Sequence, residues 1–333
     1  MPAPARRVLR VPEHHRHQAL VRGSRRAPAQ RGRRRRPVGR RLRRPRRGLP
    51  QVLLRQLGGE PPRRPRQHAP GLRVARALSR HPTQHPDVDA LLDFFLSDVQ
   101  AILGRGFVGL YLEGSIALGE FEADRSDIDF VVVTDGDPSG ETFLALKALH
   151  ARLAAAEPKW GLELEGSYVP RHAIRHHDPR PAAQPYIDRG TGELAIVHQE
   201  SGYWIIHRSL LREHGVVLAG PNPKTLIDPV HPDHVRQAAS DVLREWWVPM
   251  LDDPTRLQSW GYRCYAVLTM CRMLYTLRHG TIVSKRFAAR RTQDTLDPRW
   301  TSLVRDALAW SPAAPPDLKE TLELIRYASR PLT

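Results

Sequence analysis

The sequence predicts an α+β fold in which an N-terminal α/β domain with a mixed sheet precedes a C-terminal α-helical bundle. Three observations carry this. Two apolar runs of β-favouring residues, 107–112 and 130–133, lie close together in the first half. The last hundred or so residues place apolar side chains at helical spacing, in segments separated by polar links. Residues 1–80 differ so much in composition from the rest that the core has to come from 81–333, which is enough for two domains.

Of the 52 Lys and Arg residues, 25 fall in residues 1–80, all of them Arg, against two acids, Glu13 and Glu60. That segment therefore holds +23 of formal charge and the remainder −6, together the +17 of the chain. All 22 aromatics lie beyond residue 80, while 11 of the 30 prolines lie before it. Such a segment cannot bury enough apolar surface to offset its ordering entropy, so 1–80 is expected to be a disordered tail. Its arginines would suit phosphate backbones, which makes a non-enzymatic nucleic-acid-binding protein the distant alternative. However, the first lysine is Lys147, and Arg, Pro, Gly, Ala and His without Lys, Phe or Tyr is what GC-rich DNA yields upstream of a true start. A mis-assigned start is the leading expectation for the tail.

The remaining composition excludes several classes. Cys264 and Cys271 are too few for a disulfide framework or a zinc site, and their spacing of seven puts two reduced thiols on one helix face. No run approaches 18 apolar residues, and the N-terminus lacks an apolar signal core, so the cytoplasm is the expected compartment and no membrane partner is expected.

In chain order, Asp87 is expected to cap a helix that runs through 90–103. Residues 107–112 read as a buried strand ending at Glu113-Gly114-Ser115, and 116–119 as a short helical turn. After a polar link, Ser126-Asp127-Ile128-Asp129 leads into the second strand, which ends at Thr134-Asp-Gly-Asp-Pro. Helices are expected over 233–247, 256–279, 284–291 with Ser284 as N-cap, 299–310 and 316–328.

The chemistry lies between the two strands. Asp127 and Asp129 are two apart at a strand start, so their side chains share a face while Ile128 points to the core. Neighbouring like charges repel unless a cation sits between them, and a carboxylate pair on a rigid strand suits Mg²⁺ with its waters and phosphate oxygens. Gly114-Ser115 at a strand-to-helix turn lets a triphosphate approach the backbone, with the Ser hydroxyl and N–H groups as donors.

Gly114-Ser115, Gly119 and then Ser126-Asp127-Ile128-Asp129 together resemble the signature of the polymerase-β-type nucleotidyltransferase superfamily. The resemblance implies that the two aspartates hold two Mg²⁺ ions, that the Gly-Ser turn binds the nucleotide triphosphate, and that a later strand supplies a third carboxylate. Residues 160–169 are the suitable segment. Glu163 and Glu165 share a face by period 2, so spacing alone does not choose between them; the following Gly-Ser-Tyr-Val-Pro fits the superfamily pattern better for Glu165. Downstream, Leu268-Thr-Met-Cys-Arg272 and Gly280-Thr-Ile-Val-Ser284-Lys285 resemble the C-terminal domain of the aminoglycoside adenylyltransferases that act on streptomycin and spectinomycin, and the stretch 211–221 is similar too. This likeness covers roughly 100–330. It implies that Arg272 and Lys285 reach across the interdomain cleft to the triphosphate. One departure stands out: where drug-specific members carry an acid that meets the cationic acceptor, this chain has Tyr262 beside Arg263, and Trp204 follows Ser201-Gly202-Tyr203 at a second such place.

The resulting expectation is a tail (1–80), a nucleotidyltransferase domain (81–228) and a helical domain (229–333). The enzyme would transfer AMP from ATP to a hydroxyl of an aminoglycoside-like acceptor and release pyrophosphate, an activity associated with antibiotic resistance. Asp127, Asp129 and Glu165 would hold two Mg²⁺ ions and Glu165 would act as general base. Gly114, Ser115, Ser126, Arg272 and Lys285 would bind the nucleotide. The alternative keeps this site but uses another acceptor hydroxyl, on a small metabolite or a protein. A monomer is expected.

Overall fold

The structure, a computed structural model, describes residues 83–178, 182–199 and 201–330, all within one compact unit. The expectations for residues 1–80 lie outside the described residues.

The chain enters through α1 (Pro86–Leu103). Asp87 is not its cap: Pro86 occupies the first helical turn, where its fixed φ suits the helix, and the N-cap is His85 without a side-chain bond. Asp89 instead accepts from the Thr83 N–H and hydroxyl at 3.0 and 2.8 Å, which ties down the entry. Then follow β1 (Phe107–Leu112), α2 (Gly114–Ala117), β2 (Ile128–Thr134), α3 (Gly140–Ala156), α4 (Pro158–Gly161) and β3 (Leu164–Pro170). After α5 (Arg171–Arg175) come β4 (Ala182–Ile187), β5 (Leu194–Gln199), α6 (Ser201–His214), β6 (Val216–Ala219) and α7 (Pro223–Leu226).

Among the described residues six strands form one mixed sheet in the order β5-β4-β3-β2-β1-β6. Only β2 and β3 are parallel, as the crossover through α3 and α4 requires, and every other neighbouring pair is antiparallel. Side-chain alternation divides the sheet. Ile128, Phe130 and Val132 of β2 pack with Phe95 of α1 and Leu146 and Leu149 of α3. Val131 and Val133 face the other way and pack with Trp204 and Leu211 of α6. Asp129 shares the parity of Val131, so it belongs to the α6 face.

The second half is helical: α8 (Pro232–Val242), α9 (Trp260–His279), α10 (Lys285–Thr292), α11 (Thr301–Ala309) and α12 (Leu318–Ala328). α9 is its axis, with Ala266, Val267, Met270 and Cys271 fully buried among residues of the other four. Cys264 and Cys271 are free thiols inside it, and burial pushes both up to about 11. Two expected helices are interrupted. The 256–279 segment breaks at Ser259, because the Arg263 guanidinium turns back to the carbonyls of Leu257 and Gln258 at 3.0 Å and of Pro316 at 2.7 Å. The 233–247 segment ends α8 at Val242 and continues as a wider π turn, Leu243–Trp247, just ahead of Pro249, which has no N–H to donate back.

The halves share an apolar seam: Ile205 and Leu210 of α6 pack with Val235 and Ala238 of α8 and with Ile282, and Leu118 joins them. An ion pair from Glu122 to Arg286 at 3.0 Å crosses the same boundary. Among the described residues no helix is long and apolar enough to cross a membrane.

Candidate active site

The site forms where β1 ends and β2 and β3 begin side by side. In the parallel register of β2 and β3, Asp129 lies directly opposite Glu165. Asp127, just before β2, completes a cluster in which one carboxylate oxygen from each of Asp127, Asp129 and Glu165 lies within 4.8 Å of the others. The period-2 reading of Asp127 and Asp129 and the strand register of Glu165 thus meet at one point.

Gly114 covers this cluster. Its φ is +59°, a left-handed conformation that favours glycine, and a Cβ there would fall on Asp129 Oδ2. The Glu113 N–H donates to the Asp129 carbonyl at 3.0 Å, which stitches the turn to β2. Ser115 Oγ is buried without a hydrogen-bond partner among the described residues, and such groups are rare unless a ligand takes them up. Ser126 is committed to local structure: its Oγ accepts from the Glu122 N–H at 2.9 Å and so closes the loop that delivers Asp127.

The carboxylates are unequally supported. Glu165 Oε1 accepts from the Tyr186 hydroxyl at 2.6 Å, and Tyr186 is in turn joined to Tyr203. Burial, then the Asp127 charge, push Glu165 up to about 8, although Tyr186 and Arg189 pull the other way. Asp129 is held well above the usual carboxylate range, first by burial and then by Asp127, Glu165 and Glu113, with Lys285 opposing. A set of hard oxygen donors whose charge the protein leaves undercompensated is what a divalent cation such as Mg²⁺ fits. Glu163 is elsewhere in role: it precedes β3 and forms an ion pair with Arg189, whose other nitrogen lies 3.8 Å from Asp127 Oδ2 and donates to the Arg125 carbonyl at 3.2 Å.

The helical half brings its cations to the same point. Gly280 ends α9 at φ +66°, and a Cβ there would run into Pro232, so the chain can turn tightly to Ser284. Ser284 caps α10 by accepting from the Phe287 N–H at 3.1 Å, and Lys285 follows with its Nζ 4.4 Å over the Tyr265 ring. Burial and then Arg272 push Lys285 down to about 8, while Asp127, Asp129 and Glu165 counteract. Lys285 and Arg272 therefore sit within electrostatic reach of each other, and Lys285 of the acidic cluster too. Tyr262, where the resemblance leads one to look for an acid, stacks instead with Trp247 and Tyr265 at ring distances of 6.2 and 5.4 Å.

Sequence reasoning did not find Glu113, Tyr186, Arg189, Tyr203 or His207. Strand parity alone would have put Glu113 on the Asp129 face, but the four others reach the site only through long-range packing of the β4–β5 hairpin and α6.

Two parts of the chain match known families. Residues 95–169 match the family model of the nucleotidyltransferase domain, and residues 225–326 match that of the aminoglycoside adenylyltransferase C-terminal domain. The chain is an enzyme of the nucleotidyltransferase class that resembles the aminoglycoside adenylyltransferases. Among solved structures its fold is similar to spectinomycin adenyltransferase AAD(9) from Enterococcus faecialis, determined with ATP and spectinomycin: the TM-score is 0.55 at 16% identity, over 72% of this chain and 97% of that one. No curated protein sequence matches the chain.

Proposed function

We propose that this enzyme transfers AMP from ATP to a hydroxyl of an aminoglycoside-like acceptor, with Asp127, Asp129 and Glu165 as the ligands of two Mg²⁺ ions. The observation that carries the reading is the juxtaposition of this cluster with the Gly114-Ser115 turn on one side and Lys285 and Arg272 on the other. The ions, when bound, would neutralise the α-phosphate and the departing pyrophosphate. Gly114 permits close approach of the triphosphate, and Ser115 donates its otherwise unpaired hydroxyl to it. Ser126 holds the loop carrying Asp127 and lends its own hydroxyl proton to the nucleotide. Arg272 and Lys285 offset the charge of the β- and γ-phosphates.

Glu165 is the general base. The acceptor O–H gives its proton to Glu165, the acceptor oxygen forms a bond to the α-phosphorus, and the bond from that phosphorus to the bridging oxygen of pyrophosphate breaks. The Tyr186 hydroxyl fixes the carboxylate orientation through its hydrogen bond to Oε1. The domains that share this work are 81–228 and 229–333, acting as a monomer in the cytoplasm, where ATP is available.

A second reading retains the transfer but gives it another hydroxyl, on a small metabolite or a protein. It draws on the aromatic set Tyr262, Tyr265 and Trp247, which offers no carboxylate to a polycationic drug. Pyrophosphate release from MgATP across a panel of aminoglycosides and spectinomycin, with adenylylated product identified by mass, tests both. Drug-dependent release supports the first reading. Nucleotide binding with no release for any drug sinks it in favour of the second.

A further inference from the structure

A fourth carboxylate stands at the same end of the sheet. Glu113 follows β1 directly, is 3% exposed, and lines one small cavity with Asp129, Glu165, Tyr186, Tyr203 and His207. Its two oxygens differ. Oε1 accepts from His207 Nδ1 on α6, and the His207 ring is packed on Tyr203 with centroids 4.0 Å apart. Oε2 is buried with no hydrogen-bond partner among the described residues. Leaving a buried charged oxygen unpaired is costly, and here the cost is raised by the neighbouring acids Asp129 and Glu165, which line the same cavity.

We propose that Glu113 is a further carboxylate of the divalent-cation site, presenting Oε2 to the hydrated cation, and that His207 is the residue that positions it. The proposal rests on the metal-dependent reading above. Glu113 stands outside the three residues whose oxygens converge within 4.8 Å, so its role is toward the waters that a small hard cation retains. Carboxylates in that outer position orient the hydration shell and raise affinity. The competing account is that Glu113 merely anchors the Gly114 turn to α6. Glu113→Gln separates the two, because a glutamine still accepts from His207 but gives up the anionic charge.

The test is Mn²⁺ binding to the full-length chain without nucleotide, measured by titration calorimetry, with thermal unfolding of each variant alongside. Glu113→Gln should weaken Mn²⁺ binding by about 10–100-fold, the range for outer carboxylates, with folding retained or improved. His207→Ala should weaken it as well, and His207→Asn, which keeps an N–H near the Nδ1 position, should recover most of the loss. Should Glu113→Gln fold poorly, Glu113→Asp serves, since it keeps the charge but withdraws it from the cavity; it too should lose affinity. Wild-type affinity in a folded Glu113 variant, beside lost affinity in Asp129→Asn, overturns this proposal and leaves the cation site intact. Wild-type affinity in Asp129→Asn overturns the metal reading itself.

Discussion

The two halves of this molecule bury charge in opposite ways. In the sheet half, Asp127, Asp129, Glu165 and Glu113 are gathered at one strand end with Arg189 as the nearby cation, and burial and mutual repulsion raise Asp129 and Glu165 far above the normal carboxylate range. In the helical half, Lys285 and Arg272 stand together, and burial with mutual repulsion lowers the lysine to about 8. Each half is electrostatically unfavourable alone. Lys285 is nevertheless the group that most directly relieves Asp129, and the acids are what keep Lys285 charged. The difference teaches that the charge of the cleft is balanced only by both halves together, which is the arrangement that the proposed divalent cation and polyanionic nucleotide would bridge.

Removing an acid tests this most severely. Asp129→Asn keeps shape but deletes a proposed cation ligand and the charge stabilisation it would give, worth several kcal/mol, so turnover should fall by about a thousandfold or more. Because the native carboxylate is destabilised by its neighbours, the melting temperature should hold or rise. Steady-state pyrophosphate release together with a melting curve decides the matter. An inactive variant that has also lost stability would assign Asp129 to the fold instead.

The next test lies within the sheet half. Glu163 and Glu165 are chemically identical and two residues apart, yet one is paired with Arg189 and the other accepts from a buried tyrosine beside Asp129. Glu165→Gln should lower the chemical step by ~10²–10⁴-fold, as loss of a general base does, while Glu163→Gln changes it by a few-fold through its ion pair. Single-turnover pyrophosphate release isolates that step. If Glu163→Gln is the more damaging, the roles of the two are reversed.

These carboxylates also mark how far the sequence could be read. Asp127, Asp129, Gly114 and the 107–112 strand are local features, fixed by alternation and by a turn that needs glycine, and the observed strands follow them closely. Period 2 left Glu163 and Glu165 equal and only the resemblance favoured Glu165; what places it opposite Asp129 is the parallel register of β2 against β3, which the sequence did not predict. Tyr186, His207 and Arg189 are 21, 94 and 62 residues from the acids they touch, so no spacing rule connects them. The helix break at Ser259 was hidden for a similar reason, since Arg263 reaches carbonyls as distant as Pro316, whereas the one at Val242 lies just ahead of Pro249 and carried a local signal.

On the helical side, Lys285→Met retains the stem over Tyr265 and removes the charge. A charged hydrogen bond is worth about 1.5–3 kcal/mol, so the KM for ATP should rise roughly 10–100-fold with a smaller change in kcat. An unchanged KM would mean that the helical half contributes shape without charge to the nucleotide.

The smallest effect is expected far from the cleft, at His150, buried in the sheet-half core. His150 shares a 2.9 Å hydrogen bond with the Tyr168 hydroxyl and lies among Phe95 and Phe130, and burial pushes its pKa down to about 3 from a usual 6.5. A depressed folded-state value means the unfolded chain takes the proton first. The stability His150 supports is therefore complete above pH 6.5 and drains away as pH falls toward 3. Between pH 6.5 and 4.5 this amounts to about 2–3 kcal/mol, at 1.36 kcal/mol per pH unit. His150→Gln, which can keep a bond to Tyr168, should be somewhat less stable at pH 7 but lose less on acidification, and its activity at pH 7 should stay near wild type. Melting curves at pH 7 and 4.5 for both proteins give the comparison directly. Parallel pH slopes would mean that the core histidine is protected well enough to play no part in the acid sensitivity of this half, which the raised cleft carboxylates cannot supply, since they favour the folded state as pH falls.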